Sequence, residues 1–335
     1  MTATPLPRVW FERPVMPGLA PSVAASCAVL GPGTDDDRYA GIELAEGAIV
    51  GASPYDGAVM ERARDLRVIA RTGIGYDAID VAAATARGIA VCNTPDGPTV
   101  STAEHAVALM LMVAKGMKGA EAALTSGTTA GYYARHEGIE LAGRLLGLVG
   151  FGRIARRVAA IAESIGMRVV VFDPYVDPAS IPRGIVRVEM LDDLLGVADV
   201  VSVHVPLTDD SRDMFGARRF ASMKRGAVFV NTARGGLVDQ NALLAALDAG
   251  QLVGAGLDVT TPEPLPPDHP LLGRDDVVVT PHVASATADG KVRILRAAVD
   301  EAMAVLRGER PKHLVNPEVW DRLAATTAAA AGGDR

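Results

Sequence analysis

The segment that most constrains the fold is residues 145–174, where a strand, a glycine turn, a helix and a second strand follow one another. It reads LLGLVGFGRIARRVAAIAESIGMRVVVFDP. Gly150 and Gly152, with Ala155 third, fit the dinucleotide fingerprint, in which glycines permit a tight turn and a close approach of backbone to pyrophosphate. A helix opening near Arg153 directs its N-terminal N–H groups at phosphates. The segment therefore predicts a dinucleotide site.

The flanking residues support this interpretation. Residues 169–172 form an apolar run of strand length, and Asp173 follows about 20 residues after the glycines, where a carboxylate can accept hydrogen bonds from a ribose. Its charge would repel a 2′-phosphate, which favours NAD over NADP. A plain βαβ unit without ligand is the alternative, and the acidic residue argues against it. The helix should bury one stripe of side chains, namely Ile154, Val158, Ile161, Ala162 and Ile165.

Composition excludes several classes of protein. The chain of 335 residues is long enough for two domains, and 49% of its residues are hydrophobic. A net charge of −7 argues against a nucleic-acid surface. Cys27 and Cys92 lie far apart, so we expect no disulfide and no metal site. We also expect no membrane segment, since no apolar stretch nears about 18 residues, and a cytoplasmic location.

Strands and helices alternate along the chain, which predicts two α/β domains with parallel, doubly wound sheets. After a first α/β region, a glycine-containing loop at 71–77 could bind a carboxylate, and a helix is expected at about 101–117, with Ser101 and Glu104 as a capping box. Residues 119–144 are expected to form an arm. Further strands are expected at 185–188, 200–205, 227–231, 254–259 and 277–280, with helices at 239–249 and 289–307.

Four side chains at strand ends could carry chemistry. His204 and His282 each follow an apolar strand, whereas His105 is explained by its place within a helix. Arg234 could bind a carboxylate in a bidentate fork. Glu263 could orient a histidine and hold its proton. This set suits reduction of a carbonyl group.

Seven motifs, in unbroken order over roughly residues 45–317, resemble those of the D-isomer-specific 2-hydroxyacid dehydrogenases. They are RTGIGYD from 71, NTPDG from 93, GFGRI from 150, HVPLT from 204, NTARGG from 231, LDV from 257 and PHVAS from 281. The resemblance implies a Rossmann dinucleotide domain, residues 98–285, inserted in a flavodoxin-like substrate domain, residues 1–97 and 286–320. Residues 321–335 are expected to form a disordered tail.

The resemblance also implies roles for single residues. Arg234 corresponds to the arginine that binds the substrate carboxylate, His282 to the general acid, and Glu263 to the glutamate paired with it. Ile74 and Gly75 correspond to the loop whose N–H groups hold the same carboxylate, so the implied substrate-binding residues are Ile74, Gly75, Arg234 and His282. The implied cofactor contacts are Gly150, Gly152, Arg153, Ile154, Asp173, His204, Pro206, Thr232, Ala233, Arg234, Asp258, His282, Ala284 and Ser285. Members of the family are homodimers, with residues 98–144 at the interface.

The predicted function is interconversion of a D-2-hydroxy acid and its 2-keto acid with NAD. Phosphoglycerate dehydrogenases often carry Val-Arg-Ser where this chain has Val50-Gly51-Ala52, which weakens that specific assignment although Arg71 remains. No regulatory domain is expected after residue 317. Asp173 differs from the basic residues expected of NADP-preferring glyoxylate and hydroxypyruvate reductases. An NAD-sensing protein of the corepressor type, which shares this fold, is the alternative from another class.

Overall fold

The structure is a computed structural model, and it describes residues 5–323. The chain divides into two compact units. The first comprises residues up to Pro98 and those from Ala288 onward, and the second is Thr99–Thr287. The sequence-based boundaries were placed after residues 97 and 285. The assignment of substrate binding to one unit and of cofactor binding to the other stays a prediction at this point.

The first unit is built on a five-stranded parallel sheet in the order β2-β1-β3-β4-β5, which is the flavodoxin-like order. Numbered along the chain, its strands are β1 (Arg8–Phe11), β2 (Ala28–Leu30), β3 (Gly47–Val50), β4 (Val68–Arg71) and β5 (Ala90–Cys92). Its helices are α1 (Ala20–Ala24), α2 (Gly57–Arg62), α3 (Val81–Ala86) and α11 (Ala288–Leu306).

The second unit carries a seven-stranded parallel sheet, whose strands are β6 (Leu145–Val149), β7 (Arg168–Phe172), β8 (Val186–Arg187), β9 (Val200–Val203), β10 (Ala227–Asn231), β11 (Leu252–Leu257) and β12 (Val277–Val279). Their order, β12-β11-β10-β9-β6-β7-β8, is that of a Rossmann sheet with one further strand. The helices are α4 (Thr99–Ala114), α5 (Met117–Thr125), α6 (Tyr132–Arg135), α7 (Arg153–Ser164), α8 (Leu191–Val197), α9 (Ala217–Ser222) and α10 (Gln240–Asp248). The predicted fold class is thereby confirmed.

In the second sheet, the direction in which successive strands are added reverses between β6 and β9, which are hydrogen-bonded neighbours. In open parallel sheets, ligands bind outside the carboxyl ends of the strands at such a reversal. The central strands β9 and β10 are buried along their whole length, and therefore on both faces. Helix α4 lies close against this sheet: a Cβ atom added at Gly256 of β11 would lie only 2.8 Å from the Cβ of Leu109 in α4. The glycine therefore permits this close packing. A rigid core thus supports the carboxyl edge on which the site lies.

The start and end of α4 differ from the sequence-based expectation. The helix begins at Thr99, so Ser101 lies inside it, and the Ser101 hydroxyl lies 2.7 Å from Thr287 Oγ1. The predicted capping box is therefore wrong, because the serine makes a tertiary contact instead. The helix ends at Ala114, and Gly116 (φ 58°) separates it from α5. Part of the predicted arm is helical, in α5 and α6.

The predicted stripe of α7 is confirmed except at its last member. Val158 and Ala162 are buried, together with Ala155 and Ala159, and Ile154 and Ile161 pack partly buried against the same core. Ile165, after the end of the helix, is 36% exposed. Disorder was predicted from residue 321, which is too early: residues 320–323 are helical, and Leu323 lies in the core of the first unit. The rest of the predicted tail, residues 324–335, lies outside the described residues.

Candidate active site

The glycine turn after β6 has the backbone shape that the fingerprint requires. Gly150 adopts a φ of 90°, in the left-handed region, and a Cβ there would lie 2.8 Å from the carbonyl oxygen of His204. Only glycine fits this position without strain. At Gly152, by contrast, an added Cβ would meet nothing within 4 Å. The backbone at Gly152 therefore faces open space that a ligand can approach.

Helix α7 begins directly after this turn. Gly152 is its N-cap and supplies no side chain to the first N–H groups, and Arg153 and Ile154 form the first turn. A helix of 12 residues presents a partial positive charge at this end. Anionic phosphates are favoured there.

Asp173 follows β7 and faces the glycine turn. Its Oδ2 accepts a hydrogen bond from Phe151 N (2.8 Å), and its Oδ1 accepts from Tyr175 N (2.8 Å) and Val176 N (3.1 Å). A carboxylate has about four acceptor positions, so capacity remains for a ribose hydroxyl. Asp173 is thus fixed beside the fingerprint with its charge available to a ligand.

Other predicted contact residues follow strands of the same sheet. His204 follows β9, and its Nε2 lies 2.9 Å from Ser202 Oγ. Desolvation by burial lowers the pKa of His204 to about 4, so the ring is neutral at neutral pH. Pro206 is exposed in the loop beyond, where its carbonyl accepts a hydrogen bond from Ser211 Oγ (2.8 Å).

Thr232 follows β10, and its side chain is notable for an unsatisfied atom. Thr232 Oγ1 is buried and has no hydrogen-bond partner within residues 5–323. A buried hydroxyl without a partner is costly, and such a group in a native structure calls for an explanation. A bound ligand would provide the partner.

His282 and Glu263 form the central pair of the site. His282 Nδ1 lies 2.5 Å from Glu263 Oε1, and the two side chains are 40% and 37% exposed. Burial acts to raise the pKa of Glu263, but hydrogen bonding to His282, the charge of His282, a backbone hydrogen bond at Thr260 and the charge of Arg234 outweigh it. The pKa of Glu263 is therefore below its usual value. Glu263 is a carboxylate at neutral pH, with Arg234 close enough to act on it.

The loop that carries Arg234 is held by the side chain of Asn231. Buried Asn231 accepts a hydrogen bond from Ala233 N (2.9 Å) and donates one to the Arg234 carbonyl (2.9 Å). The Arg234 guanidinium donates to Ala233 O (2.7 Å). Next to it, Gly235 is packed so closely that a Cβ would lie 2.0 Å from Thr260 O. The segments bearing Arg234 and Glu263 are therefore in direct backbone contact.

His282 stands in an unusual turn. Its φ is 52°, in the left-handed region that non-glycine residues rarely adopt. The His282 N–H donates to the carbonyl oxygens of Asp258 (2.8 Å) and Thr280 (3.0 Å). The Asp258 carboxylate accepts from Ala284 N (2.8 Å), beyond the histidine. Ala284 is buried and Ser285 half-buried.

Sequence reasoning missed two residues that support this region. Gln240 pairs its side-chain amide with the backbone of Thr261, donating to its carbonyl and accepting from its N–H (3.1 Å). His105 lies 2.9 Å from Thr280 Oγ1. The available signal for His105 was its position: it is a polar residue on the apolar face of α4, four residues before Leu109. No local pattern identifies Gln240, because its partner lies 21 residues further on.

The predicted carboxylate loop lies in the first unit, after β4. Gly73 has a φ of 147°, and its N–H donates to Thr94 Oγ1 (2.8 Å). Asn93 Nδ2 donates to the carbonyl of Ile74 (2.7 Å). Ile74 and Gly75 are half-buried. The loop is thus fixed by side chains that follow β5, and its role in substrate binding stays a prediction.

A known family model covers the fingerprint and most of the second unit. Residues 107–284 match the model described as D-isomer specific 2-hydroxyacid dehydrogenase, NAD binding domain. That is more than half of the chain. The chain belongs to the D-isomer-specific 2-hydroxyacid dehydrogenases. The resemblance inferred from the seven motifs is confirmed.

Individual relatives agree with the family assignment. A glyoxylate reductase of Korarchaeum cryptofilum is 42% identical over 274 residues, which cover 79% of this chain and 81% of that protein. A D-3-phosphoglycerate dehydrogenase of Archaeoglobus fulgidus is 39% identical over 261 residues, 78% of this chain and 49% of that protein. The chain thus spans about half the length of the phosphoglycerate dehydrogenases that it matches.

Solved structures show the same fold. The TT0316 protein of Thermus thermophilus has a TM-score of 0.84 and 40% identity, covering 92% of this chain and 99% of that one. D-lactate dehydrogenase with NAD+ from Lactobacillus jensenii has a TM-score of 0.77 and 25% identity, covering 92% and 99%. These relatives and neighbours give no support to the corepressor alternative.

The residues of the second unit fit NAD, the cofactor of this dehydrogenase family. The open face at Gly152 suits a pyrophosphate, the Asp173 carboxylate suits an unphosphorylated ribose, and Thr232 Oγ1 offers a buried hydroxyl in need of a partner. Within residues 5–323, every helix is too short or too polar to cross a membrane.

Proposed function

We propose that this protein is an NAD-dependent oxidoreductase that interconverts a D-2-hydroxy acid and the corresponding 2-keto acid. The observation that carries the proposal is the pair formed by His282 and Glu263, at the carboxyl edge of the sheet that bears the dinucleotide fingerprint. A proton donor, a carboxylate hydrogen-bonded to it and a nearby arginine suit the reduction of a carbonyl beside a carboxylate.

His282 is the general acid in the reducing direction. Glu263, as a carboxylate, can only accept hydrogen bonds, so Nδ1 of His282 carries the hydrogen that they share. This leaves Nε2 to donate a proton to the oxygen of the 2-keto group, and to take it back in the reverse direction. The hydrogen bond to Glu263 also fixes the orientation of the ring.

Arg234 binds the carboxylate of the substrate. Its planar guanidinium can hold a carboxylate with two hydrogen bonds, which fixes the keto carbon in orientation. The same positive charge stabilises the negative charge that develops on the oxygen. Backbone contact between Gly235 and Thr260 keeps the arginine in register with Glu263.

NAD, when bound, supplies the two-electron chemistry of the reaction. We assign its phosphates to the turn at Gly150 and Gly152 with the first turn of α7, and its adenosine ribose to Asp173. Asp173 would disfavour NADP, because a 2′-phosphate would meet its carboxylate. We propose Pro206, Thr232, Ala233, Asp258, Ala284 and Ser285 as further contacts, as predicted from the sequence.

We favour substrates that carry no phosphate. After β1, Glu12 accepts hydrogen bonds from Ser53 Oγ (2.9 Å), Tyr55 OH (3.0 Å) and Gly51 N. A side chain at Gly51 would come within 2.8 Å of Glu12 Oε1. A carboxylate therefore takes the space beside residue 51, at the same sheet edge as the predicted loop with Ile74 and Gly75. This negative charge supports a small, uncharged substituent on the 2-keto acid.

We further propose a cytoplasmic homodimer. The two cysteines, Cys27 and Cys92, are free and buried, which is consistent with a reducing compartment. Apolar side chains are exposed on α5 and α6, with Leu124 at 71% and Tyr133 at 97%. A second copy of the chain would cover them. Light scattering coupled to gel filtration tests this, and a monomeric mass at micromolar concentration would contradict it.

A panel of 2-keto acids tests the proposed activity. Glyoxylate, hydroxypyruvate, pyruvate and 3-phosphohydroxypyruvate are supplied with NADH or NADPH, and absorbance at the nicotinamide band is followed. We expect turnover of at least one unphosphorylated acid, preferring NADH. His282→Ala should lower kcat by at least about 100-fold. Arg183→Ala, at an exposed residue of the second unit outside the proposed dimer surface, is the control and should retain activity.

The outcomes separate the alternatives. A preference for 3-phosphohydroxypyruvate would support a phosphoglycerate dehydrogenase and contradict the role given to Glu12. No turnover of any acid, with NAD-dependent dimer formation, would favour the sensor. Undiminished activity of His282→Ala would remove the general acid from the mechanism.

A further inference from the structure

His105 has no part in the mechanism above, yet it contacts the segment that carries the general acid. It lies in α4, with a side chain 22% exposed, and its Nε2 is 2.9 Å from Thr280 Oγ1 and 3.5 Å from Asp258 Oδ1. Thr280 directly follows β12 and stands two residues before His282. A helix far away in sequence thus reaches the turn on which catalysis depends.

Asp258 is the centre of this contact. Its side chain is fully buried, and its oxygens accept hydrogen bonds from Thr280 Oγ1 (2.6 Å), Val283 N (2.9 Å) and Ala284 N (2.8 Å). Those partners lie on both sides of His282. The carboxylate therefore folds the chain around the histidine and helps hold its left-handed conformation (φ 52°).

The hydrogen bonds define where the protons lie. A carboxylate can only accept, so the single hydroxyl hydrogen of Thr280 is donated to Asp258. Thr280 Oγ1 then has no hydrogen left for His105 and must accept one from it. Nε2 of His105 consequently carries a hydrogen. This chain of donation runs in one direction, from His105 through Thr280 to Asp258.

We propose that His105 is a positioning residue for the general acid, acting as an Nε2–H donor that orients Thr280 and, through Asp258, the turn at His282. The proposal rests on the proposed function, since it assigns no contact with substrate or cofactor to His105. Removal of the donor would leave the Thr280 hydroxyl free to rotate away from Asp258. The turn would then be less well fixed, and the imidazole of His282 would sample positions unsuited to proton transfer.

Substitutions at both ends of the contact test this. His105→Leu removes the donor, whereas His105→Gln places an amide N–H near the position of Nε2. We expect His105→Leu to lower kcat about 10- to 100-fold with KM for NADH changed less than about threefold, and His105→Gln to recover most of the loss. Thr280→Val should reproduce the loss and Thr280→Ser should not. Glu104→Gln, an exposed neighbour on α4, is the control.

Nitrogen NMR of the histidine-labelled protein tests the proton assignment without reference to activity. The ring-nitrogen resonances that disappear in His105→Gln belong to His105, and we expect them to show a hydrogen on Nε2. A His105 protonated on Nδ1 alone, or a folded His105→Leu or Thr280→Val with the kcat of the parent protein, would overturn the proposal. If His282→Ala is inactive while these variants are unaffected, only the role of His105 fails. An active His282→Ala would instead refute the proposed function.

Discussion

Replacement of Gly235 by alanine should separate the two halves of the site. The added Cβ would lie 2.0 Å from Thr260 O, 2.2 Å from Thr260 C and 2.7 Å from Thr260 Cα. These are backbone atoms, so the strain cannot be relieved by rotation of a side chain. Since real Cβ atoms essentially never lie within 3.0 Å of another heavy atom, one segment must move by about 1 Å. Such a displacement of a catalytic group costs about 100-fold in rate.

The expected loss in kcat/KM for Gly235→Ala is therefore about 100-fold, or about 2.7 kcal/mol of transition-state stabilisation. We expect the unfolding free energy to fall by about 1–3 kcal/mol, as in overpacked sites. NAD affinity should fall less than kcat/KM, because the glycine turn and Asp173, to which we assign the phosphates and the ribose, belong to other segments. Steady-state kinetics with the preferred 2-keto acid measure kcat/KM, denaturant unfolding measures the free energy of unfolding, and a fluorescence titration measures the affinity for NADH.

The neighbouring glycine provides a matched control. At Gly236 the nearest atom to an added Cβ is the flexible side-chain end Leu207 Cδ2, at 3.0 Å. Gly236→Ala should thus keep kcat/KM within about threefold of the parent protein. Equal activity of the two variants, or full activity of Gly235→Ala, would refute the argument that backbone contact between the two segments sets the site.

Two further predictions concern charge. Asp173→Ala should raise the preference for NADPH over NADH by about tenfold or more, because the carboxylate that repels a 2′-phosphate is lost. Steady-state kinetics with both cofactors measure this preference. An unchanged ratio would show that Asp173 does not face the ribose. The pKa of His204 is lowered to about 4, below the value of about 6.5 in an unfolded chain. The unfolded state therefore binds more protons between these values, and this group makes stability fall as pH drops from about 6.5 to about 4. His204→Asn should lose less stability over that interval in thermal unfolding, and an identical loss would argue against a desolvated ring.

The fold was largely predictable because its signals are local. Apolar runs of strand length, glycines after strands and an acidic residue after β7 are each readable within about 30 residues, and alternation of strands and helices implies parallel sheets. The order of the strands followed from the family resemblance. Element ends were less well predicted. Ser101 resembled an N-cap, but its hydroxyl is used by Thr287, 186 residues away.

The candidate site was predictable only in part, because some of its contacts join residues that lie far apart in the sequence. His282, Glu263 and Arg234 were identifiable by motif, and the pair at 2.5 Å agrees with the prediction that they act together. The support beneath them was not identifiable, because His105 meets Thr280 across 175 residues and Gly235 meets Thr260 through backbone atoms. Asp258 was predicted as a cofactor contact. That contact stays a prediction, whereas its hydrogen bonds show that it organises the turn at His282.

The most direct test of the central claim is the kcat for 2-keto acid reduction in the parent protein, in Glu263→Gln and in Glu263→Asp. If the hydrogen bond between Glu263 and His282 orients the general acid, Glu263→Gln should lower kcat about 100-fold, while Glu263→Asp, which keeps a carboxylate, should lower it less. Equal kcat values for the parent protein and Glu263→Gln would contradict the account.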